Sequence, residues 1–165
     1  MGPNSFTLPV SSSSVTINLM QLSSDPPVIR ITLYNSSSSS TFTILNWDSP
    51  LDPQAFNLGI YHLEDEETGD EVEIPRLMIN RLLPPPREAL LEIAPESDLS
   101  IDTQLDQPWM PSHRPAKYNL YAAGQWKAIW DKPARDIRES ELNDFGWNST
   151  IPREFRSPKM ILDLS

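Results

Sequence analysis

Val15-Thr16-Ile17-Asn18-Leu19-Met20-Gln21-Leu22 places its side chains alternately on two faces. Such period-two alternation is typical of a β-strand with one buried face. Asp25-Pro26-Pro27 follows the stretch closely and interrupts it, and Val28–Tyr34 then alternates again. Short polar breaks between successive strands favour antiparallel neighbours. The predicted buried faces carry Val15, Ile17 and Leu19 in the first strand, and Ile29, Ile31 and Leu33 in the second.

Similar short apolar segments recur along the rest of the chain, separated by turn residues. The further predicted strands are Thr41–Trp47, Leu58–Leu63, Val72–Ile79, Leu90–Pro95, Asp98–Leu105, Tyr118–Trp130 and Lys159–Leu164. Pro75 cannot donate a backbone hydrogen bond, so Val72–Ile79 is expected to be an edge or bulged strand. Lys132–Phe145 instead predicts a helix, with Asp131 as its cap and Pro133 in its first turn.

This pattern predicts an all-β fold, an antiparallel β-sandwich of immunoglobulin-like type. It would contain about eight or nine strands and one short C-terminal helix. The 165 residues are enough for one domain with a hydrophobic core. We expect residues 1–13 to form a flexible lead-in and residues 14–130 to form the sandwich. Residues 131–165 would add the helix and a closing strand to the same domain.

Charge and cysteine content restrict the partners and the compartment. The net charge of −10 disfavours nucleic acid and anionic membrane as partners. The absence of cysteine excludes disulfides and is ordinary in a reducing compartment. Met1 to Val10 lacks the basic and apolar regions of a signal peptide, so we expect a cytoplasmic protein. On that expectation, the glycosylation sequons at Asn35 and Asn148 are chance matches.

One block of sequence resembles a known family. Phe42-Thr43-Ile44-Leu45-Asn46-Trp47-Asp48-Ser49-Pro50-Leu51-Asp52 is similar to the pro-region of fungal deuterolysin-type zinc metalloproteases. The similarity continues through Leu77–Arg81 and Ile93–Glu96 to Tyr118–Gly124, and the chain also looks like short uncharacterised fungal proteins that carry this domain alone. The resemblance implies a β-sandwich with an inhibitory or folding-helper role. It does not imply proteolysis, because the zinc-binding helix of the protease is missing.

Motifs for catalysis and cofactor binding are absent from the sequence. His62 and His113 are far apart and lack the spacing of a zinc motif, so no metal site is predicted. Asp48, Ser49 and Asp52 lie in a proline-rich corner, where they are expected to form turns rather than act as acids or bases. No phosphate-binding glycine loop occurs, and no cofactor is predicted. The chain is therefore expected to be non-catalytic, although a small enzyme without a motif stays open.

The aromatic and arginine residues are the candidates for binding. Tryptophan on a β-sandwich either packs in the core or stacks on a sugar or a protein partner. The parity of Trp126 favours the core. The candidate contacts are Trp109, Trp130, Trp47, Arg81 and Arg114.

These observations favour a binding or regulatory module with a protein partner. A sandwich that binds a sugar or a hydrophobic metabolite is the alternative, and the edge strands also leave a dimer open.

Overall fold

The computed structural model describes residues 14–114, 116–145 and 151–165. The flexible lead-in predicted for residues 1–13 lies outside these ranges, as does the sequon at Asn148. Within the described residues there are ten strands: β1 Val15–Ser24, β2 Pro27–Asn35, β3 Phe42–Leu45, β4 Tyr61–Asp65, β5 Leu90–Ile93, β6 Ser97–Gln104, β7 Ala116–Gln125, β8 Ile129–Trp130, β9 Glu154–Arg156 and β10 Met160–Leu164.

The strands form three antiparallel sheets. The first has the order β1-β2-β6, the second β10-β7-β4 with β9 also paired to β7, and the third β5-β3-β8. The Gln21 side chain joins β1 to β10 across the edges of the first two sheets. Its amide nitrogen donates to the Asp163 carbonyl at 2.8 Å, and its amide oxygen accepts from the Asp163 backbone N–H at 2.8 Å. The prediction of an all-β antiparallel sandwich is confirmed.

The buried faces of the first two strands agree with the alternation in the sequence. Ile29 and Leu33 are 0% exposed, whereas Thr16 and Asn18 on the opposite face are exposed. One large apolar cluster fills the space between the sheets. A second, smaller cluster consists of Leu45, Trp47, Ala128, Trp130, Ile137 and Leu142.

Two predicted strands differ from the observed ones. Val72–Ile79 forms no strand; an isolated bridge pairs Glu71, just before the segment, with Glu64 of β4, and the Val72 N–H donates to the Leu63 carbonyl at 2.7 Å. Pro75 interrupts any ladder there because it has no N–H to donate. The predicted strand Tyr118–Trp130 is divided at residues 126–128 into β7 and β8, which pair with different sheets.

The predicted helix is much shorter than expected. The α-helix α1 spans only Glu139–Asp144, and a single 3-10 turn, Ala134–Asp136, precedes it. Ile137 lies between them in extended conformation and is 1% exposed within the second cluster. Burial of this side chain interrupts the helix, so the N-cap is Arg138 instead of the predicted Asp131.

Candidate functional site

Two of the five candidate contacts lie together. The Arg81 guanidinium carbon is 5.2 Å from the centroid of the Trp47 ring, within the range of a cation–π contact. Arg81 Nη2 also donates to Asp52 Oδ2 at 2.8 Å. The guanidinium is therefore fixed on two sides, by an aromatic ring and by the carboxylate of Asp52, whose side chain is only 2% exposed.

The corner after β3 explains why Asp52 can hold Arg81. Asp52 Oδ2 accepts from the Asp48 backbone N–H at 2.9 Å, and Asp52 Oδ1 accepts from the Gln54 backbone N–H at 2.9 Å. Asp48 has a φ of 61°, in the left-handed region that Asp tolerates better than most residues. The expectation that the acidic residues of this corner form turns is confirmed, and Asp52 has the additional function of binding Arg81.

A pocket of about 350 Å³ opens beside the Trp47–Arg81 pair. Its opposite wall comes from residues far along the chain. Phe145 packs edge-on against Trp47, with 6.5 Å between ring centroids. Lys127 Nζ lies 5.9 Å from the Phe145 ring centroid and 3.8 Å from Asp48 Oδ2. The lining residues are Trp47, Asp48, Leu58, Ile79, Arg81, Leu83, Lys127 and Phe145.

Arg153 binds the backbone of the two pocket residues Lys127 and Phe145. Its guanidinium donates to the Phe145 carbonyl at 2.6 Å and to the carbonyls of Trp126 and Lys127. Burial lowers the pKa of Arg153 from its usual value. These bonds hold the end of α1 against the loop between β7 and β8, so the aromatic and lysine walls are fixed relative to each other.

An exposed apolar segment borders the pocket. Leu77, Met78, Ile79, Leu82 and Leu83, here called the apolar rim, are all exposed hydrophobic residues. Met78 is 97% exposed and Leu82 is 90% exposed. The Leu77 backbone N–H donates to the Asn57 carbonyl at 2.8 Å, and Arg81 is bound to Asp52. The rim is therefore attached to the body of the domain at two points, although its apolar side chains face solvent.

The other three candidate contacts lie elsewhere. Trp130 is 3% exposed and belongs to the second apolar cluster. Trp109 is half-buried against the main core, with its ring centroid 6.4 Å from that of Phe56. Arg114 is exposed and donates to the carbonyls of Pro111 and His113 at 2.6 and 3.0 Å. None of these three lines the Trp47–Arg81 pocket.

Several residues of the pocket and rim were missed by the sequence analysis. Phe145 was assigned to a helix, and Leu82 and Leu83 lie outside every predicted element. One available signal was the density of apolar residues in Leu77–Leu83, which lacks the alternation of a half-buried strand. No comparable signal exists for Lys127 or Phe145, because their contacts with the Trp47 region join distant parts of the chain.

Among residues 14–114, 116–145 and 151–165, no group of three or more acidic, histidine or cysteine side chains is arranged to hold a metal ion. Over the same residues, every helix is too short or too polar to cross a bilayer.

Comparison with known proteins identifies the fold family and one relative. A profile described as immunoglobulin-like domain matches residues 14–164. An uncharacterised secreted protein from Arthroderma benhamiae is 32% identical over 131 residues. The alignment covers 78% of this chain and 66% of the relative, so the chain spans just under two thirds of that protein's length. This relative supports the predicted similarity to fungal proteins.

Two predictions change in light of these matches. The prediction of a cytoplasmic location is wrong, because the relative is described as secreted. The absence of cysteine excludes disulfides but does not assign the chain to a reducing compartment. Neither match shows the deuterolysin pro-region resemblance. The profile covers the sandwich from before β1 to the end of β10, and the chain belongs to the immunoglobulin-like domain family.

Proposed function

We propose that this chain is a protein-binding module whose partner docks on the apolar rim and the Trp47–Arg81 pocket. The observation that carries the proposal is the near-complete exposure of Met78 and Leu82 beside a concave aromatic pocket. Single exposed apolar residues are ordinary, whereas contiguous ones next to a pocket are typical of interaction sites.

The composition of the site fits a protein interface. Tryptophan and arginine are the residue types that most often dominate binding energy at interfaces. Arg81 is already fixed by Asp52 and Trp47, so ordering it on binding costs little side-chain entropy. Full burial of Met78 or Leu82 would contribute about 1.5–3 kcal/mol each. The rim would thus supply affinity, and the pocket would supply an anchor.

The secreted relative supports an extracellular location for the proposed interaction. That relative is described as a secreted protein, and we propose that this chain also acts outside the cell. A regulatory role is the further part of the proposal. If the partner is an enzyme, its activity with and without the chain tests that part directly.

Site-specific photo-crosslinking tests the docking face. A photo-crosslinking residue is placed at Leu82, and at Met20 as a matched control, since Met20 is 47% exposed on β1. Each labelled chain is mixed with proteins secreted by the source organism, and crosslinked species are identified by mass spectrometry. The proposal predicts a partner that crosslinks from Leu82 and not from Met20.

The captured partner is then purified and its affinity measured. Replacing both Met78 and Leu82 by serine should weaken binding at least about tenfold, whereas Met20→Ser should not change it. Urea unfolding of both variants checks that the fold is retained. Equal binding by the rim double variant and the wild type would overturn the proposal.

The pocket itself favours a second candidate function, binding of a small ligand. Its volume of about 350 Å³ lies within the range of ligand sites, and Trp47 forms part of its wall beside Arg81. Titration of sugars and apolar metabolites should then change tryptophan fluorescence, and Trp47→Phe should abolish that change. Trp130→Phe is the matched control, because Trp130 is buried outside the pocket. An unchanged signal in Trp47→Phe would contradict this candidate.

A further inference from the structure

A group of polar and charged side chains lies around Tyr121 of the β10-β7-β4 sheet, away from the pocket. Tyr121 of β7 pairs directly with His62 of β4, and their rings stack with centroids 5.0 Å apart. The Arg156 guanidinium carbon is 4.6 Å from the Tyr121 ring centroid, and Lys159 Nζ is 5.4 Å from it. Two cations and an imidazole therefore surround one phenol ring.

The carboxylate of Glu64 interacts with these cations. Lys159 Nζ donates to Glu64 Oε1, and this hydrogen bond is the main cause that lowers the pKa of Glu64. Arg156 is exposed, and the described residues provide no hydrogen-bond acceptor or direct ion pair for its guanidinium. The charge of Arg156 also lowers the pKa of Glu64, so one carboxylate interacts with both cations at this ring. Arg156, Lys159 and Glu64 together carry one net positive charge, in a chain of net charge −10.

We propose that this cluster binds an oxyanion, the carboxylate, phosphate or sulfate group of a small ligand, with Arg156 as the principal contact. Contact with the Tyr121 ring restricts the Arg156 side chain, and a guanidinium can donate two parallel hydrogen bonds to an oxyanion. Lys159 and His62 add donors at the same ring. The bound anion would offset the repulsion between Arg156 and Lys159. This site is independent of the proposed protein-binding face.

NMR titration of the full ¹⁵N-labelled chain tests the site. The probes are inorganic sulfate, inorganic phosphate and acetate, each at constant ionic strength against chloride. We expect saturable shifts of the Arg156 side-chain Nε–H signal and of the backbone amides of His62 and Tyr121. The expected Kd for at least one probe is on the order of 1 mM. Stronger binding of acetate would indicate a carboxylate ligand, and stronger binding of sulfate or phosphate a tetrahedral one.

Two arginine variants decide the outcome. Arg156→Gln should raise the Kd of the best-bound probe about tenfold. Arg135→Gln, which changes an exposed arginine of the 3-10 turn, should leave that Kd unchanged. The amide spectrum of Arg156→Gln without a probe checks its fold. Linear shifts, equal shifts with chloride, or an unchanged Kd in Arg156→Gln would overturn the proposal.

Discussion

Asp52 connects the corner after β3 to the candidate site. Its two carboxylate oxygens accept from the backbone N–H groups of Asp48 and Gln54 and from the Arg81 guanidinium. The side chain of Asp52 is 2% exposed, and that of Arg81 is 22% exposed. Loss of this carboxylate would leave two backbone donors and one guanidinium without their acceptor. The site therefore depends on a residue that does not line the pocket.

Asp52→Ala should lower the free energy of unfolding by about 2–3 kcal/mol, because buried donors lose their partner. Urea denaturation followed by tryptophan fluorescence measures the change. Asp106→Ala is the matched control, since Asp106 is exposed, and it should stay within about 0.5 kcal/mol of wild type. An equal effect of the two substitutions would show that the Asp52 bonds contribute nothing net.

The extended segment 72–83 carries the apolar rim, and one of its side chains, Arg76, lies over Gly59. Gly59 has a φ of 82°, and a Cβ built on it would lie 2.5 Å from Arg76 Nε. Arg76, the residue immediately before the apolar rim, thus packs its side chain over Gly59. Gly69 provides a natural comparison, because its φ of 76° is similar and a Cβ there would meet no atom within 4 Å.

Gly59→Ala should destabilise the fold by about 1–2 kcal/mol, because alanine is strained at this φ. Gly69→Ala should cause the same backbone strain but no steric contact. Gly59→Ala should therefore cost about 0.5–1 kcal/mol more, since Arg76 must leave its preferred rotamer. Thermal and urea unfolding measure both variants. In an Arg76→Ala background the difference should vanish, and a difference that persists there would contradict the assigned role of Arg76.

Asn35 joins two of the three sheets at the end of β2. Its side-chain nitrogen donates to the carbonyls of Ile93, Ala94 and Ser40, at 3.0, 3.2 and 2.7 Å. Its side-chain oxygen accepts from the Ser37 backbone N–H at 2.9 Å. The residue is 0% exposed, so its amide bridges the first sheet to the third without contact with solvent. A glycan on this nitrogen would remove these bonds and could not fit inside the fold.

A chain secreted from a eukaryotic host should therefore carry no glycan at Asn35 in its folded monomeric fraction, although Asn35-Ser36-Ser37 matches the acceptor sequon. Peptide mapping by mass spectrometry, with and without glycosidase, measures the occupancy of that site. Misfolded material retained in the host cells provides the comparison. Substantial occupancy in the folded fraction would contradict the buried position of Asn35.

Local sequence patterns determined much of the architecture. The alternation in Val15–Leu22 and Val28–Tyr34 was sufficient to predict two antiparallel strands and their buried faces, since a period of two is a property of neighbouring residues. The position of Trp126 in the core was also readable from its parity, and it is 1% exposed. Proline indicated an irregularity at Val72–Ile79 but did not show that the strand would be lost altogether.

The elements near Trp130 depended on contacts that no local pattern reveals. Tyr118–Trp130 reads as one strand, yet β7 and β8 pair with different sheets, because Trp126 must enter the main core while Trp130 enters the second cluster. In the same way, the sequence from Lys132 has helical propensity, but burial of Ile137 outweighs it. Helical propensity is worth a few tenths of a kcal/mol per residue, whereas burying an isoleucine is worth about 1.5–3 kcal/mol.

The sequence by itself determined that this protein is an antiparallel β-sandwich, because alternation and turn chemistry act over a few residues. Only the tertiary structure decided which candidate residues meet. Arg81 reaches Trp47 and Asp52 because segment 72–83 lies along the corner, and Phe145 reaches Trp47 because α1 ends beside the β7–β8 loop. These contacts join distant parts of the chain, and their geometry is set by the packing of the core between the sheets.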